Sequence, residues 1–423
     1  MNCRKLIIAT TLVFFAAPAL AELGVETLSL EQAEQLALER DTMVRSFSAR
    51  QKAFDEEALA SDTWADPRLK FGGTSLPVDT FNLDQEPMTR INLGYQQMLP
   101  RGDSLEHRSG LMNAKASKEK FAGEKRRRQV LMAVRKAWLN VLLQEKSIEI
   151  IRGNRSLFEQ MLDVSQSFYA SGRQHQQSVV QAQLEISLVD DQLEKVRTML
   201  VVARANLAKW VGEEYAQTPL SDSNENDLLN TLPELNKIMS ALNAHPELLQ
   251  SNARIKISQQ SVELSKDSYS PQWGFDVSYG KRYGEDLAGN DRPDFLSAMV
   301  SVDLPIFTEQ KQDRQLSARK QRLQASRYQF QDVKRVMVKR LQQVYGRLEK
   351  LNDRIELYKI SVLPQAKQNA DVAFSGYQSG VVSFFTLTRA RVTELNTRLA
   401  DLRLKIEHAT TFVELNYLVG ESS

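Results

Sequence analysis

Two kinds of hydrophobic spacing alternate along the chain, and their order occurs twice. Residues 30–61 are rich in Ala, Glu, Gln and Leu. They predict one helix that starts at an N-cap on Ser29, with Glu31 in its first turn, and stops near Asp66-Pro67. Over residues 67–99 the period falls to two. Leu69 and Phe71 lead into Gly72-Gly73, and after a polar, acidic loop Ile91, Leu93 and Tyr95 alternate with Arg90, Asn92, Gly94 and Gln96. Such a period predicts strands with one apolar and one polar face. Residues 103–170 contain no proline and read as one helix about 100 Å long at about 1.5 Å per residue. Val134, Trp138, Val141, Ile148 and Ile151 line its apolar side, and Gly153 is its expected weak point. After Ser171-Gly172 the chain returns over 174–212 through Val189, Leu193, Val196, Leu200, Ala203, Leu207 and Trp210. Their alternating steps of four and three mark a coiled-coil seam.

The same order follows a polar linker at 213–231. A helix from 233 to 267 is expected to be interrupted at His245-Pro246. Strands fall within 271–304, where Trp273, Phe275, Val277 and Tyr279 alternate with Gly274, Asp276, Ser278 and Gly280. In the last strand Ala298, Val300 and Val302 oppose Ser297, Ser301 and Asp303. A long helix at 310–378 carries Leu341, Val344, Leu348, Leu351 and Ile355, and Pro364 is expected to kink it. The return helix at 381–419 uses Leu395, Leu399, Leu402, Ile406, Ala409 and Val413. Tyr169-Ala170-Ser171-Gly172 and Tyr377-Gln378-Ser379-Gly380 lie 208 residues apart, as do Val211-Gly212-Glu213 and Val419-Gly420-Glu421. A constant offset over so long a span points to an internal duplication, residues 22–212 and 232–423. In each copy the first and last helices together match the long middle one, which predicts two short helices stacked end to end alongside it.

Composition changes the picture in two respects. Arg4 and Lys5, an apolar run from Leu6, and the small residues of Ala19-Leu20-Ala21 predict a secretory signal at 1–21. Cys3, the only cysteine, falls inside it, which excludes a disulfide framework or cysteine metal site in the remainder. Without the signal the chain holds 53 basic and 53 acidic residues, a balance that argues against nucleic-acid binding. No later stretch has the apolar length of a transmembrane helix, so membrane insertion would require a closed β-barrel.

Element order, paired Tyr-x-x-Gly turns and terminal Val-Gly-Glu together resemble the outer-membrane efflux (TolC-like) family over essentially the whole mature chain. Asp66-Pro67, Pro87-Met88-Thr89 and Gln97-Met98-Leu99-Pro100-Arg101-Gly102 are most similar to its heavy-metal cation efflux branch. The resemblance implies an α+β membrane protein. Long antiparallel coiled-coil helices would form an α-helical barrel, and each protomer of a homotrimer would give four strands to a twelve-stranded β-barrel in the outer membrane. It implies a passive conduit from periplasm to exterior in a tripartite efflux system, with a periplasmic adaptor and an inner-membrane pump of RND type as partners. No enzyme activity and no cofactor or bound metal are implied. Trp273, Phe275, Tyr279 and Phe295 would be lipid-facing or interfacial aromatics.

The resemblance also places the periplasmic tip, its gate and the adaptor contact at the repeated turns: Tyr169, Gly172, Arg173, Gln174 and His175 in the first copy, and Tyr377, Gly380, Val381, Ser383, Phe384, Thr386 and Arg389 in the second. Ser178 is a further candidate for the constriction. Relatives often carry aspartates where this chain has Thr386 and Arg389, and Arg389 is expected to pair with a carboxylate such as Glu394. Set against these, His175 reads more simply as a solvated turn residue, and Phe384 with Phe385 as tip packing. Lys125-Arg126-Arg127-Arg128 reads as a solvated helix face or protomer contact, and Asp79, Asp84 and Glu86 as exposed loop polarity. Drug efflux and type I protein secretion compete with metal efflux. A soluble periplasmic coiled-coil adaptor is the alternative of another class, and it leaves the four amphipathic strands without a role.

Overall fold

The computed structural model describes residues 27–221, 229 and 232–420, so the expected signal at 1–21 lies outside the described residues. The fold is a long helical bundle with a four-stranded sheet at one end. The first repeat comprises α1 (Leu30–Arg40), α2 (Thr42–Ser61), β1 (Arg68–Thr74), β2 (Arg90–Met98), α3 (Ser104–Ala170) and α4 (Gln176–Val211). A short α5 (Glu213–Gln217) follows. The second repeat comprises α6 (Leu235–Ala241), α7 (Pro246–Asp267), β3 (Gln272–Arg282), β4 (Phe295–Asp303), α8 (Gln312–Leu357), α9 (Leu363–Gln378) and α10 (Phe384–Val419).

The first helix breaks where no proline marks it. Asp41 ends α1 and caps α2 by accepting the Val44 N–H at 2.8 Å, and Arg126 of α3 holds the same carboxylate at 2.7 Å. Burial would raise the Asp41 pKa, but the Arg126 and Val44 hydrogen bonds outweigh it and hold the carboxyl below its ordinary value. The second repeat breaks at its equivalent point. A 3₁₀ turn (Leu242–Ala244) ends at His245, whose side chain accepts the Glu247 N–H at 3.1 Å, and Pro246 opens α7.

No break occurs at Gly153: α3 runs unbroken from Ser104 to Ala170. Ile151 and Asn154 on either side of it are buried, so packing holds the helix there. Pro364 acts through a π turn at Tyr358–Val362, after which α9 starts at Leu363. The backbone stays helical through Val362 and Leu363, so the wider π turn is where the continuous helix accommodates the proline ring and its missing N–H.

Both seams are buried. Val189, Leu193, Val196, Ala203 and Leu207 on α4, and Leu341, Val344, Leu348, Leu351 and Ile355 on α8, are all core residues, and each of the valine, leucine and isoleucine side chains is worth roughly 1.5–3 kcal/mol when withdrawn from water. Leu200 and Trp210 are only partly covered. Leu28, Val130, Val134, Trp138, Ala203, Leu207, Leu402 and Ile406 join both repeats at mid-bundle. The start of the expected linker is folded here. Leu220 forms a parallel bridge with Leu28, and Arg204 donates to the carbonyls of Ala216 at 2.7 Å and Thr218 at 3.1 Å. Three residues of the basic run on α3 have partners within the chain, while Arg127 is exposed to solvent. Lys125 reaches Glu247 at 3.4 Å, Arg126 holds Asp41, and Arg128 lies half-buried beside Tyr417.

The sheet is an antiparallel meander in the order β1-β2-β3-β4. Its register puts Leu69, Phe71, Leu93, Tyr95, Phe275, Val277, Tyr279, Leu296 and Val300 on one face. The other face carries Lys70, Asn92, Gln96, Asp276, Ser278, Ser297 and Ser301. The apolar face is uncovered: Phe71 is 82% exposed and Leu296 77%. An apolar surface of this extent is stable only against a nonaqueous neighbour. Phe295 departs from expectation. It pairs with Gly280 and lies on the polar face, beside Arg90 and Arg282. Among the described residues no helix is long and apolar enough to cross a membrane.

Candidate functional site

The two helical hairpins reverse at the repeated turns, far from the sheet. Each turn is a Schellman motif. Gly172 (φ 68°) donates to the Tyr169 carbonyl at 3.0 Å and Arg173 to that of Phe168 at 2.8 Å. Gly380 (φ 78°) donates to the Tyr377 carbonyl at 3.0 Å and Val381 to that of Gly376 at 2.9 Å. The repeated motif thus has a local physical meaning. Tyrosine occupies the last helical turn, and glycine takes the left-handed position that an L side chain enters only at a cost of about 1–2 kcal/mol.

Three residues beyond each glycine lies the N-cap of the return helix, His175 for α4 and Ser383 for α10. The Ser383 hydroxyl accepts the Thr386 N–H at 3.3 Å, whereas His175 makes no side-chain cap. Gln174 is half-buried and accepts from the Ser178 hydroxyl at 3.4 Å. Arg173, Val381, Phe385, Thr386 and Arg389 are exposed.

The two tyrosines are not equivalent. Tyr169 is 49% exposed, whereas Tyr377 is fully buried. Its ring lies 5.5 Å from Phe168 and 5.5 Å from Phe384, and its hydroxyl is 3.0 Å from that of Ser165. Ser165 and Phe168 belong to α3, so Tyr377 locks the second hairpin onto the first repeat. Phe384 is packing, as its place in this cluster requires, while Phe385 is 70% exposed.

Arg389 does not pair with Glu394. Five residues on a helix separate side chains by about 140° around the axis. Glu394 is held instead by Arg391 at 2.8 Å and Arg398 at 2.6 Å, three and four residues away. Arg391 also reaches Asp371 of α9 at 3.2 Å and lies over Phe374. This charged cluster escaped sequence reasoning, although i,i+3 and i,i+4 spacing around Glu394 was its signal. Beside it an open groove of about 800 Å³ runs from Pro364 to Val382, lined by Lys367, Gln368, Asp371 and Val372.

The histidines are dispersed. His107 contacts Asp267 at 2.7 Å where the bundle meets the sheet, and the Asp267 hydrogen bond raises its pKa. His245 is buried, with Nε2 3.1 Å from the Tyr417 carbonyl; burial, aided by Arg128, pushes its pKa down to about 4. Among the described residues no three His, Cys, Asp or Glu side chains come together as a metal site. The turns offer shape, packing and exposed basic groups, not an arrangement of acid, base and nucleophile.

The model of a family described as outer membrane efflux protein matches residues 33–213 and 238–421, one block per repeat. The alkaline protease secretion protein AprF of Pseudomonas aeruginosa is 22% identical over 263 residues, covering 60% of this chain and 54% of that protein. The chain thus matches about half the length of this relative. Crystal structures of CusC, concerned with folding and transmembrane channel formation, superpose with a TM-score of 0.79 over 93% of this chain and 92% of theirs, at 15% identity. The outer membrane protein VceC of Vibrio cholerae superposes with a TM-score of 0.75 over 93% of this chain and 96% of its own, at 17% identity. At these identities the superpositions establish a shared fold.

Proposed function

Because the chain belongs to the outer membrane efflux protein family, we propose that it is the passive outer-membrane conduit of a tripartite exporter, open to the outside through a β-barrel and closed at its distal turns. Membership makes it an outer-membrane transport protein rather than an enzyme. The observation that carries the finer reading is the sheet, whose apolar face is uncovered and whose other face is polar, as a barrel wall between lipid and water requires. Its outer strands, β1 and β4, each keep one unpaired edge in the single chain. Three copies joined edge to edge would remove those edges and close a twelve-stranded barrel. The helices then extend toward the periplasm for the length of α3, about 100 Å.

In this reading Tyr169, Gly172, Arg173, Gln174, His175, Tyr377, Gly380, Val381, Ser383, Phe384, Thr386 and Arg389 form the gate and the adaptor-docking tip. Valine at Gly172 or Gly380 should impair export while leaving trimers intact; loss of the trimer would make these glycines structural only. Energy would come from an inner-membrane pump, and the RND type is the partner that the metal-branch motifs favour. Heavy-metal cargo rests on those short motifs. Protein cargo has the likeness to a protease secretion protein in its support, and drug cargo is the third class. Sensitivity profiling of a deletion strain separates them: reduced tolerance to copper, silver, zinc, cobalt or cadmium supports metal cargo, and unchanged tolerance to all five rejects it. Recovery of the protein in the soluble periplasm would reject the conduit itself.

A further inference from the structure

The two edges of the sheet carry opposite charges on the same face. Arg68 opens β1 and shares the polar face with Lys70. Asp303 ends β4 and shares that face with Ser301. Both stand at the end of the sheet nearest the bundle. Arg68 is exposed and, among the described residues, enters no ion pair. Asp303 meets Arg101 at 3.2 Å, yet its side chain remains 64% exposed, so the carboxylate has lone pairs left for a second donor. Other acidic groups at this level are engaged: Asp276 by Lys70, Asp267 by His107 and Asp313 by Tyr269. Asp66 and Glu309 lie outside the strands.

Strand geometry says what meets Asp303 across a closed barrel. Within one chain the row through Arg68 continues to Gln96, Asp276 and Met299. Four strands at about 4.8 Å each span about 19 Å. At a tilt of about 35–45°, that width displaces the next copy along the strands by about 13–19 Å. With a rise of about 3.3 Å per residue, the offset is about four to six residues. An odd offset would set apolar-face residues opposite polar ones, which leaves four or six. The reverse sense would leave β4 facing residues before Arg68, with almost no strand to pair. An offset of four pairs the whole of β1, Arg68–Thr74, with Ser297–Asp303 of the next copy, so that Asp303 stands opposite Arg68. An offset of six leaves the first two residues of β1 beyond the end of β4 and sets Asp303 opposite Lys70, which Asp276 already holds.

We infer that Asp303 joins one copy of this chain to the next by pairing with Arg68 across the β4–β1 edge. This rests on the conduit reading, which supplies the three-fold barrel. The carboxylate is then shared between copies, with Arg101 from its own chain and Arg68 from the neighbour. Opposite charges directly across two strands stabilise their pairing, and a two-residue slip would lose the pair. The ion pair therefore sets the register of the barrel as well as joining its edges.

The test is disulfide formation in the full-length protein purified from outer membranes, in a C3S background. R68C with D303C should oxidise to covalent trimers, because direct antiparallel partners have Cα atoms about 4.5–5.5 Å apart, within disulfide reach. K70C or G72C with D303C should stay monomeric on denaturing gels, being displaced along the strand. In the native background D303N and R68Q should each speed dissociation of the trimer, by up to about fivefold per edge, and together no more than D303N alone. Crosslinking of D303C to K70C or G72C in place of R68C, or a trimer whose lifetime neither charge variant shortens, overturns the inference while leaving a trimeric barrel. Folded protein recovered only as monomers overturns the conduit reading, and the inference with it.

Discussion

Tyr377→Ala should open the distal end of the second hairpin. The side chain is fully buried between Phe168 and Phe384. Truncating a large buried ring costs about 3–5 kcal/mol, the upper part applying where the cavity cannot collapse. Ser165 keeps its 2.8 Å bond to the Met161 carbonyl, so loss of the tyrosine hydroxyl adds only about 1 kcal/mol. Tyr377→Phe isolates that smaller contribution. Tyr169→Ala removes a half-exposed ring from the equivalent place in the other turn and should cost about 1 kcal/mol or less. Amide hydrogen exchange reads these costs locally. Across residues 374–388, Tyr377→Ala should accelerate exchange by roughly two to three orders of magnitude, Tyr377→Phe by about fivefold, and Tyr169→Ala hardly at all. Equal effects of the two alanine substitutions would refute the inequivalence of the turns. A phenylalanine variant as damaging as the alanine one would show that the hydroxyl, not the packing, holds the node.

Two further predictions concern buried charge. Glu394→Gln should destabilise the α9–α10 hairpin by up to about 3–5 kcal/mol, because it leaves the buried Arg391 guanidinium without its closest carboxylate. Arg389→Gln, at an exposed position, should leave thermal unfolding unchanged, and equal melting losses would contradict the observed pairing. The two histidines should give stability opposite slopes with pH. His107 has a raised folded pKa, so its contribution is complete below its unfolded value and is lost as pH rises through the folded one. His245 has a folded pKa lowered to about 4, so its contribution is complete above its unfolded value and is lost as pH falls toward 4. Unfolding measured from pH 4 to 8 in His107→Asn and His245→Asn should flatten one limb each.

Much of the architecture was legible because it rests on spacing. The offset of the Tyr-x-x-Gly turns, the seams through Leu207 and Leu348, and the alternation around Tyr95 and Val277 are all local patterns. Breaks were legible only where the residue itself forbids continuation. Pro246 announces the second helix break, whereas Asp41 becomes a break only with Arg126, distant in sequence, to hold it. Phe295 shows the opposite failure. Its parity with Ser297 and Ser301 puts it on the polar face, against what its aromatic character suggests. Arg389 lies close to Glu394 in sequence, but helical angle gives that carboxylate to Arg391 and Arg398. The burial of Tyr377 could not be read at all, since Tyr169 has the same local sequence and only the contact between repeats distinguishes them.

Orientation is the central claim, and single-cysteine labelling in intact cells tests it most directly. With Cys3 replaced by serine, cysteine is placed in turn at Leu287 in the loop between β3 and β4 and at Ser379 in the second distal turn. A membrane-impermeant maleimide should label position 287 in intact cells, and position 379 only after the outer membrane is permeabilised. Labelling of position 379 in intact cells, or protection of both positions until permeabilisation, would contradict an outer-membrane conduit with its turns in the periplasm.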